Sequence, residues 1–203
     1  MNMIVELVAL PAVGKTSVFN GVIKRRKDIV NPKIKMNKLK VGYLLLTSKF
    51  FWSNLLTIYN LSFKYYSWSF MDILSYISKA ELAKRSKKIV LYDEFFFLMF
   101  QEQERNFDKE KILKFFKLVC GYFDFRVIYL DCNIDEVIRR AKKRKSRVDK
   151  FLLKDAKRLY NERKNLLDKY LTKSKRFIHE MTTINVSDKT LNELVDKVNY
   201  LIV

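Results

Sequence analysis

The sequence is poor in the residues that build disulfide frameworks, zinc sites and disordered segments. Its 203 residues include two cysteines, one histidine, two prolines and four glycines. Cys120 and Cys132 are too few for a disulfide framework, so we interpret both as reduced core thiols of a cytoplasmic protein. One histidine, His179, leaves no zinc-ligand cluster, and we expect it at the surface or in packing. An apolar strand from residue 3 onward leads us to expect no signal peptide.

Acidic residues are scarce relative to basic ones. Asp and Glu number 22 against 41 Lys and Arg, which gives a formal net charge of +19. Nucleic acid, an anionic membrane face and polyanionic small substrates are candidate partners for such a chain, and solvated surface lysine is the alternative. The hydrophobic content of 49% argues against disorder. The length predicts one domain, which we place at residues 1–203.

Long uncharged apolar runs are also missing. Residues 41–77 are the most aromatic part of the chain, yet three charged residues interrupt them. A membrane-spanning helix needs about 18 or more apolar residues without charge, so we exclude a transmembrane span. We predict instead two amphipathic helices, at about 41–60 and 69–85.

Residues 9–16, with the sequence Ala-Leu-Pro-Ala-Val-Gly-Lys-Thr, form the most informative stretch. An apolar run predicts a strand at residues 3–8 before it, and residues 17–23 predict a helix after it. Strand, tight loop, lysine, hydroxyl and helix make up the phosphate-binding loop, although Ala9 stands where the motif usually begins with glycine. Backbone N–H groups of such a loop point into a concave anion site, and the helix N-terminus adds partial positive charge.

The residue types in this loop suit a nucleoside triphosphate. Gly14 lets the backbone approach the phosphates closely. Lys15 is placed to reach the β- and γ-phosphates, and Thr16 offers a hydroxyl to Mg²⁺. The place of Ser17 in the motif implies a contact with the α-phosphate. The residues expected to bind phosphate are therefore Ala12, Val13, Gly14, Lys15, Thr16 and Ser17.

A second predicted strand ends in two acids. Residues 89–93 predict a buried parallel strand that delivers Asp93 and Glu94 at its C-terminal end. In open α/β sheets, ligands bind at that end. We predict that Asp93 holds Mg²⁺, and that Asp93 or Glu94 acts as a base toward an acceptor hydroxyl.

The two aromatic helices, in a region at about 41–85, allow three interpretations. At this position in a phosphotransferase, helices commonly wall the acceptor pocket, where aromatic rings would stack on a base or sugar. The rings would otherwise pack the core or a homodimer contact. A third interpretation is an interfacial membrane helix with Trp and Tyr at the headgroups.

Positive charge is concentrated in residues 139–176, which hold 17 Lys and Arg against four acids. We predict that the N-terminal part, about 139–150, forms a mobile lid. Its arginines would close over the triphosphate and neutralise charge on the transferred phosphoryl group. A solvated basic helix and a nucleic-acid patch are the alternatives.

The remaining elements complete an α/β pattern. We predict strands at 125–131 and 182–186 and a long helix at about 95–119. Asn133 is expected to cap the helix after the first of these strands, and Ser187-Asp188 is expected to cap the last helix. Alternating strands and helices predict a parallel sheet with right-handed crossovers.

Together these landmarks resemble the P-loop nucleotide and nucleoside kinases, nearest the thymidylate kinase type. They occur in that family's order across nearly the whole chain. The matching residues are the loop at 9–16, the Asp93 strand, Leu130-Asp131 followed by Arg140, Arg144 and Arg147, and the segment from Ile184 to Asp188 before the last helix.

The resemblance implies a five-stranded parallel sheet with the loop strand central, flanked by helices as a three-layer sandwich. It also implies ATP with Mg²⁺ as the phosphoryl donor. Arg140, Arg144 and Arg147 would be lid residues, the first two acting on the transferred group and the third binding the nucleotide.

Two departures from the family pattern bear on the acceptor. Thymidylate kinase-like enzymes have an arginine after the strand-end acid, where this chain has Glu94, and the Glu-Arg-Ser pattern of deoxynucleoside kinases is missing. Two carboxylates would repel an incoming monophosphate, so we favour the hydroxyl of a nucleoside or sugar-like acceptor. A nucleoside monophosphate is the alternative acceptor.

Two functions of other classes compete with a kinase. One is a P-loop protein that uses ATP to regulate nucleic-acid binding through residues 139–176. The other is a catalytically idle interaction module that kept the fold.

Overall fold

The computed structural model describes residues 3–30, 37–63, 70–86, 88–93, 109–143 and 155–202. Within them the elements follow in the order β1 Met3–Ala9, α1 Lys15–Arg25, β2 Ile29–Val30, α2 Lys38–Leu46, α3 Lys49–Phe63, α4 Phe70–Ser86, β3 Ile89–Tyr92, α5 Lys109–Tyr122, β4 Asp124–Asp131, α6 Ile134–Lys143, α7 Ala156–Ser174, β5 Glu180–Asn185 and α8 Leu191–Leu201.

The five strands form one parallel sheet in the order β2-β3-β1-β4-β5. Every residue of β1 and β3 is buried. Because alternate side chains of a strand point to opposite faces, burial of all of them means that helices cover both faces of the sheet. The expected parallel five-stranded sheet flanked by helices, with the loop strand central, is confirmed.

The fifth strand is one that the residue pattern did not predict. It is the two-residue β2, which follows α1 and pairs with β3 through Ile29–Ile89 and Val30–Val90. Two apolar residues are too short a run to be recognised as a strand without the partner beside them. The other four strands lie within one or two residues of their predicted positions.

The predicted helix at 41–60 is wrong, because the structure has two helices there. Ser48 separates α2 from α3: its Oγ accepts a hydrogen bond from Phe51 N at 3.0 Å, as an N-cap does, and donates to the buried carboxylate of Glu81 at 2.5 Å. The indole N–H of Trp52 donates to Leu46 O at 2.8 Å, so the carbonyl group of the last residue of α2 has a side-chain partner. The bonds of Ser48 with Phe51 and of Trp52 with Leu46 end one helix and start the next within three residues.

The predicted cap of the last helix is also displaced. Thr190, rather than Ser187-Asp188, caps α8, and it does so in a reciprocal capping box with Glu193. Asn133 caps α6 as expected, since its Oδ1 accepts from Asp135 N at 2.9 Å. His179 is exposed, and the cysteines are unpaired, with Cys132 buried and Cys120 half-buried. The predicted helix at about 95–119 falls partly on residues 94–108, which lie outside the described residues.

Helix α1 packs directly on the C-terminal helix. A Cβ on Gly21 would lie 2.5 Å from Cγ2 of Val195 in α8, so only glycine allows the two helices to approach this closely. Around this contact, Arg25 bonds with Asn192 and Asp196 of α8. The C-terminal helix therefore fixes the position of α1.

We predict that Gly21→Ala destabilises the fold by about 1–3 kcal/mol, because the added methyl group meets the stiff, β-branched Val195. The melting temperature should fall by several degrees. Gly121→Ala is the matched control, since its Cβ would meet nothing within 4 Å near the end of α5. A melt of Gly21→Ala equal to that of the control would contradict the packing described here.

Candidate active site

The loop between β1 and α1 bends through two left-handed residues. Ala12 has φ 67° and Gly14 has φ 101°, and Val13 lies between them with its N–H 3.4 Å from Leu10 O. A non-glycine residue rarely adopts positive φ, so Ala12 marks a backbone that is held in place by its surroundings. Alternation of this kind turns successive N–H groups toward one side and makes a concave anion site.

The N-terminus of α1 is open toward this concavity. Gly14 is its N-cap and supplies no side chain, and the first turn contains no acid. The carbonyl of Gly14 accepts from Ser17 N and Val18 N, which begins the helical bonding. Lys15 is half-buried there, and the side chains of Thr16 and Ser17 are exposed. Helix dipole, loop amides and a lysine thus converge on one place with no carboxylate of the first turn to neutralise them.

Asp93 is brought to the same edge of the sheet. It follows β3, which pairs in parallel with β1 in the register Glu6–Tyr92, so the carboxyl ends of both strands face one way. Its side chain is half-buried. A carboxylate at this edge and the exposed hydroxyl of Thr16 are hard oxygen donors, the kind that Mg²⁺ prefers. The donor set therefore fits the expected metal.

The described residues do not form a metal site of the kind that protein side chains build by themselves. Among the described residues, no group of three or more His, Cys, Asp or Glu side chains is arranged to hold a metal ion. Any metal at the loop would thus depend on water and ligand oxygens for most of its coordination sphere, as Mg²⁺ commonly does at phosphates.

Arg140 contacts the loop through a backbone carbonyl group. Its Nη1 donates to Val13 O at 2.9 Å, and its Nη2 lies 3.4 Å from Val186 O, just after β5. In a trans peptide the carbonyl of Val13 and the N–H of Gly14 point in opposite directions. By holding that carbonyl, Arg140 sets the direction of the Gly14 N–H, away from the guanidinium.

Glu136 holds Arg140 in this position. Its carboxylate accepts from Arg140 Nε at 2.7 Å and from Arg139 Nε at 2.5 Å on the same helix. These hydrogen bonds, from Arg139 first and Arg140 second, lower the pKa of Glu136 to about 2. The carboxylate is therefore ionised throughout the neutral range, and the pairing weakens only as the pH falls below about 4.5 toward 2.

The sequence did not reveal this role of Arg140. The basic run around it predicted a lid residue facing the triphosphate, whereas its bonds in the structure go to backbone carbonyl groups and to Glu136. The signal that could have found it is the spacing of Glu136 and Arg140, four apart on one helix, which is typical of a paired rather than a free arginine. Glu94, Arg144 and Arg147, three further predicted site residues, lie outside the described residues.

Comparisons with known proteins identify the fold. No family model matches the chain, and no curated protein matches it. The structure is similar to that of a thymidylate kinase from Ehrlichia chaffeensis, 16% identical over 99% of this chain and 98% of that one, with a TM-score of 0.53. It is also similar to a deoxyadenosine kinase from M. mycoides with dCMP and dCDP bound, 14% identical over 98% of both chains, with a TM-score of 0.51. The chain therefore has the fold of the nucleoside and nucleotide kinases.

We predict that Arg140→Ala weakens binding of a Mg·ATP analogue by about tenfold or more, because it removes a charge-assisted hydrogen bond that orients the loop. Isothermal titration calorimetry measures the change. Arg139→Ala is the matched control: it removes the same charge from the same Glu136, to which both side-chain hydrogen bonds of Arg139 go. Equal affinity of the two variants would show that the Val13 contact does not organise the site.

Proposed function

We propose that the protein is a Mg·ATP-dependent kinase that transfers the γ-phosphate to a hydroxyl group of a nucleoside or sugar-like acceptor. The observation that carries the proposal is the loop of residues 10–14, with its two left-handed residues, at the start of α1, whose first turn contains no acid. Such a site binds a polyphosphate through backbone N–H groups and needs no particular side chains except a lysine.

Within this proposal the loop residues hold the donor. The amides from Ala12 to Ser17 surround the phosphates, Lys15 contacts the β- and γ-phosphates, and the Ser17 hydroxyl lies at the α-phosphate. Thr16 and Asp93 are the residues that would hold Mg²⁺, which would supply positive charge to offset the charge of the phosphates. Arg140 keeps the loop in its binding shape from the side opposite to the ligand.

The transfer step needs a base and a cation besides the loop. The acceptor oxygen attacks the γ-phosphorus, the bond from that phosphorus to the bridging oxygen breaks, and ADP leaves. Asp93 or Glu94 takes the proton of the acceptor hydroxyl. Arg144 and Arg147 are the arginines that we assign to the lid, where positive charge would stabilise the charge that develops on the transferred group.

The acid pair favours a neutral acceptor. A hydroxyl loses a proton during transfer and gains from a nearby carboxylate, whereas a monophosphate is already anionic and gains from a cation. A nucleoside monophosphate is the alternative acceptor, with Arg25 or Arg105 supplying that cation. Arg25 is bonded to Asn192 and Asp196 of α8, which ties it away from such a role.

Nucleic-acid binding through residues 139–176 is less well supported. Several basic side chains of this segment are already paired with carboxylates of the chain, namely Arg139, Arg140, Lys157, Arg158 and Lys164. Paired cations contribute less to a phosphate-backbone surface, because binding would have to break or share the existing contacts.

We expect Lys15→Ala to lower turnover on the order of 10³-fold or more, because Lys15 stabilises charge on the transferred phosphoryl group. An assay of ADP release with an accepted substrate measures the loss. Lys24→Ala, on the exposed side of the same helix, is the control and should keep normal turnover. Near-normal turnover of Lys15→Ala with an unchanged melt would show that this loop does not bind the donor phosphates.

The acceptor is tested by ATP consumption against a panel of nucleosides, sugars and nucleoside monophosphates. We expect turnover with a hydroxyl acceptor and a loss on the order of 10²-fold or more for the variant, Asp93→Asn or Glu94→Gln, that removes the base. Robust turnover on dTMP or another monophosphate, with both variants still active, would replace the hydroxyl acceptor with a monophosphate.

A further inference from the structure

The amino edge of the sheet, where the strands begin, carries positive charge that the proposed kinase function does not use. The sheet is parallel, so all its strands begin at this edge. Helices α1, α4, α5 and α7 lead into β2, β3, β4 and β5, so these four helices end there. Six exposed cations lie in or beside the connections, namely Lys27, Lys88, Lys117, Lys173, Lys175 and Arg176. We call these six residues the basic pole.

One aromatic ring joins the cations of α5 to those that follow α7. Phe177 is half-buried and lies three residues before β5. The Cζ atom of Arg176 is 4.7 Å from the centroid of this ring, and Lys117 Nζ is 5.9 Å from it. Both distances are typical of cation–π contacts. The ring therefore holds two like charges close together at the surface.

The other two connections are joined by their backbones. Ile89 N donates to Asp28 O at 3.3 Å, which places the backbones of Lys27 and Lys88 next to each other. These lysines precede β2 and β3 at one side of the sheet, whereas the cations around Phe177 lie beside β4 and β5 at the other side. The basic pole thus extends across the five strands, a width of about 20 Å.

Three acids at the same edge are already bonded to arginines. Arg26 bonds with Asp28, and Arg126 bonds with Glu180 at 2.9 Å and lies 3.8 Å from Asp124. The cations of the basic pole differ from these arginines. Among the residues that the structure describes, none of the six has an acid within ion-pair distance. The charge left on this surface is therefore that of the pole.

Helix dipoles account for only part of this charge. A helix C-terminus carries about half a negative charge, so the four helices that end here offset about two cations. The last turns of α1 and α4 already supply more than that, namely Lys24, Arg25, Lys84 and Arg85. The basic pole is additional to this compensation and attracts a polyanion.

Two exposed apolar side chains lie among these cations. Leu118, which follows Lys117 on α5, is 39% exposed, and Tyr200 is 80% exposed. Arg26 Nη1 donates to Asn199 O at 3.3 Å, so the end of α8 that bears Tyr200 lies at the same edge. A lipid interface accommodates tyrosine at the headgroups and leucine at the acyl boundary. The phosphates and sugars of a nucleic-acid backbone bind polar and charged side chains and give leucine no such partner.

The type and arrangement of the cations also suit a planar partner. Five of the six are lysines, which are flexible point charges, whereas arginine is the residue that recognises single phosphates by bidentate bonds. They are spread over the width of the sheet, whereas a groove that follows a single strand of nucleic acid needs a linear track. A surface of many anionic headgroups fits this distribution.

We propose that the basic pole, with Leu118 and Tyr200, binds an anionic lipid surface. The loop of residues 10–14 lies at the opposite edge of the sheet, separated from the pole by the length of β4, which has eight residues and is about 25 Å long. Bound in this way, the protein turns that loop away from the lipid. The proposal does not depend on the kinase assignment, and it uses no residue of the candidate active site.

Co-sedimentation with vesicles tests the basic pole. We expect the full chain to bind vesicles of phosphatidylcholine mixed with phosphatidylglycerol, but not vesicles of phosphatidylcholine alone. Binding should weaken as salt is added, because exposed charges are screened beyond about 10 Å at 0.1 M. The double variant Lys173→Gln with Lys175→Gln should bind about tenfold more weakly or worse, since each cation near an anionic surface contributes about fivefold.

Lys157→Gln with Lys189→Gln is the matched control. It also removes two exposed lysines, but these lie at the start of α7 and after β5, at the opposite edge of the sheet. It should change vesicle binding by less than about threefold, because its charges lie more than a screening length from the lipid. Both double variants should melt like the wild type, since all four lysines are exposed.

Absence of binding, or equal binding to both kinds of vesicle, would overturn the proposal, and so would an equal loss in the two double variants. Tighter binding of a mixed-sequence oligonucleotide that depends on Lys173 and Lys175 would assign the pole to nucleic acid and likewise overturn it. Lys15→Ala should bind vesicles like the wild type, because Lys15 lies at the other edge. Failure of the kinase assignment would therefore leave this result unchanged.

Discussion

The pairing of β1 with β3 on one side and β4 on the other determines where the candidate active-site residues meet. Parallel pairing places the carboxyl ends of all three strands at one edge of the sheet. The loop of residues 10–14 continues from β1, Asp93 from β3, and the helix that bears Arg140 follows β4. One register error would move a strand end by about 3.3 Å along its axis and exchange the side chains that pack on the two faces of the sheet, so the buried apolar core also sets the geometry of the site.

The loop itself is built to be electropositive without exposing much charge. Lys15 is the one cation in the first turn of α1, and the remaining attraction comes from backbone N–H groups and the helix dipole. Backbone dipoles attract an anion only while their orientation is maintained. Arg140 and Glu136 maintain it from outside the concavity, through the carbonyl of Val13. In the site that we propose, Lys15 would act toward the ligand, whereas Arg140 and Glu136 hold the backbone of the loop.

Sequence reasoning predicted the parts of the molecule that local signals encode. The order of strands and helices, the loop at residues 9–16 and the cap at Asn133 follow from apolar periodicity and from residue types with fixed conformational roles. Contacts between distant segments were not accessible in this way. The pairing of β2 with β3, the bonds of Arg140 to Val13 and Val186, and the approach of α1 to α8 depend on the tertiary fold.

The break between α2 and α3 was missed for a different reason. Both helices are apolar on several sides, so their combined sequence predicts one continuous helix. Within that sequence Ser48 resembles an ordinary polar residue of a helix. Its hydroxyl caps α3 through Phe51 N and also donates to the buried carboxylate of Glu81, 33 residues further along the chain. Hydrogen bonds of this kind override local helix propensity and leave no periodic trace in the sequence.

The contact between α1 and α8 has a consequence for the biosynthesis of the protein. The loop between β1 and α1 leaves the ribosome before α8 is made, but the helix that follows this loop packs against Val195 and bonds with Asp196. Those residues are made much later than the loop, and contacts of such long sequence separation form late. A nascent chain therefore carries the whole loop without the support that α8 gives to α1, and it acquires that support only when the C-terminal helix docks.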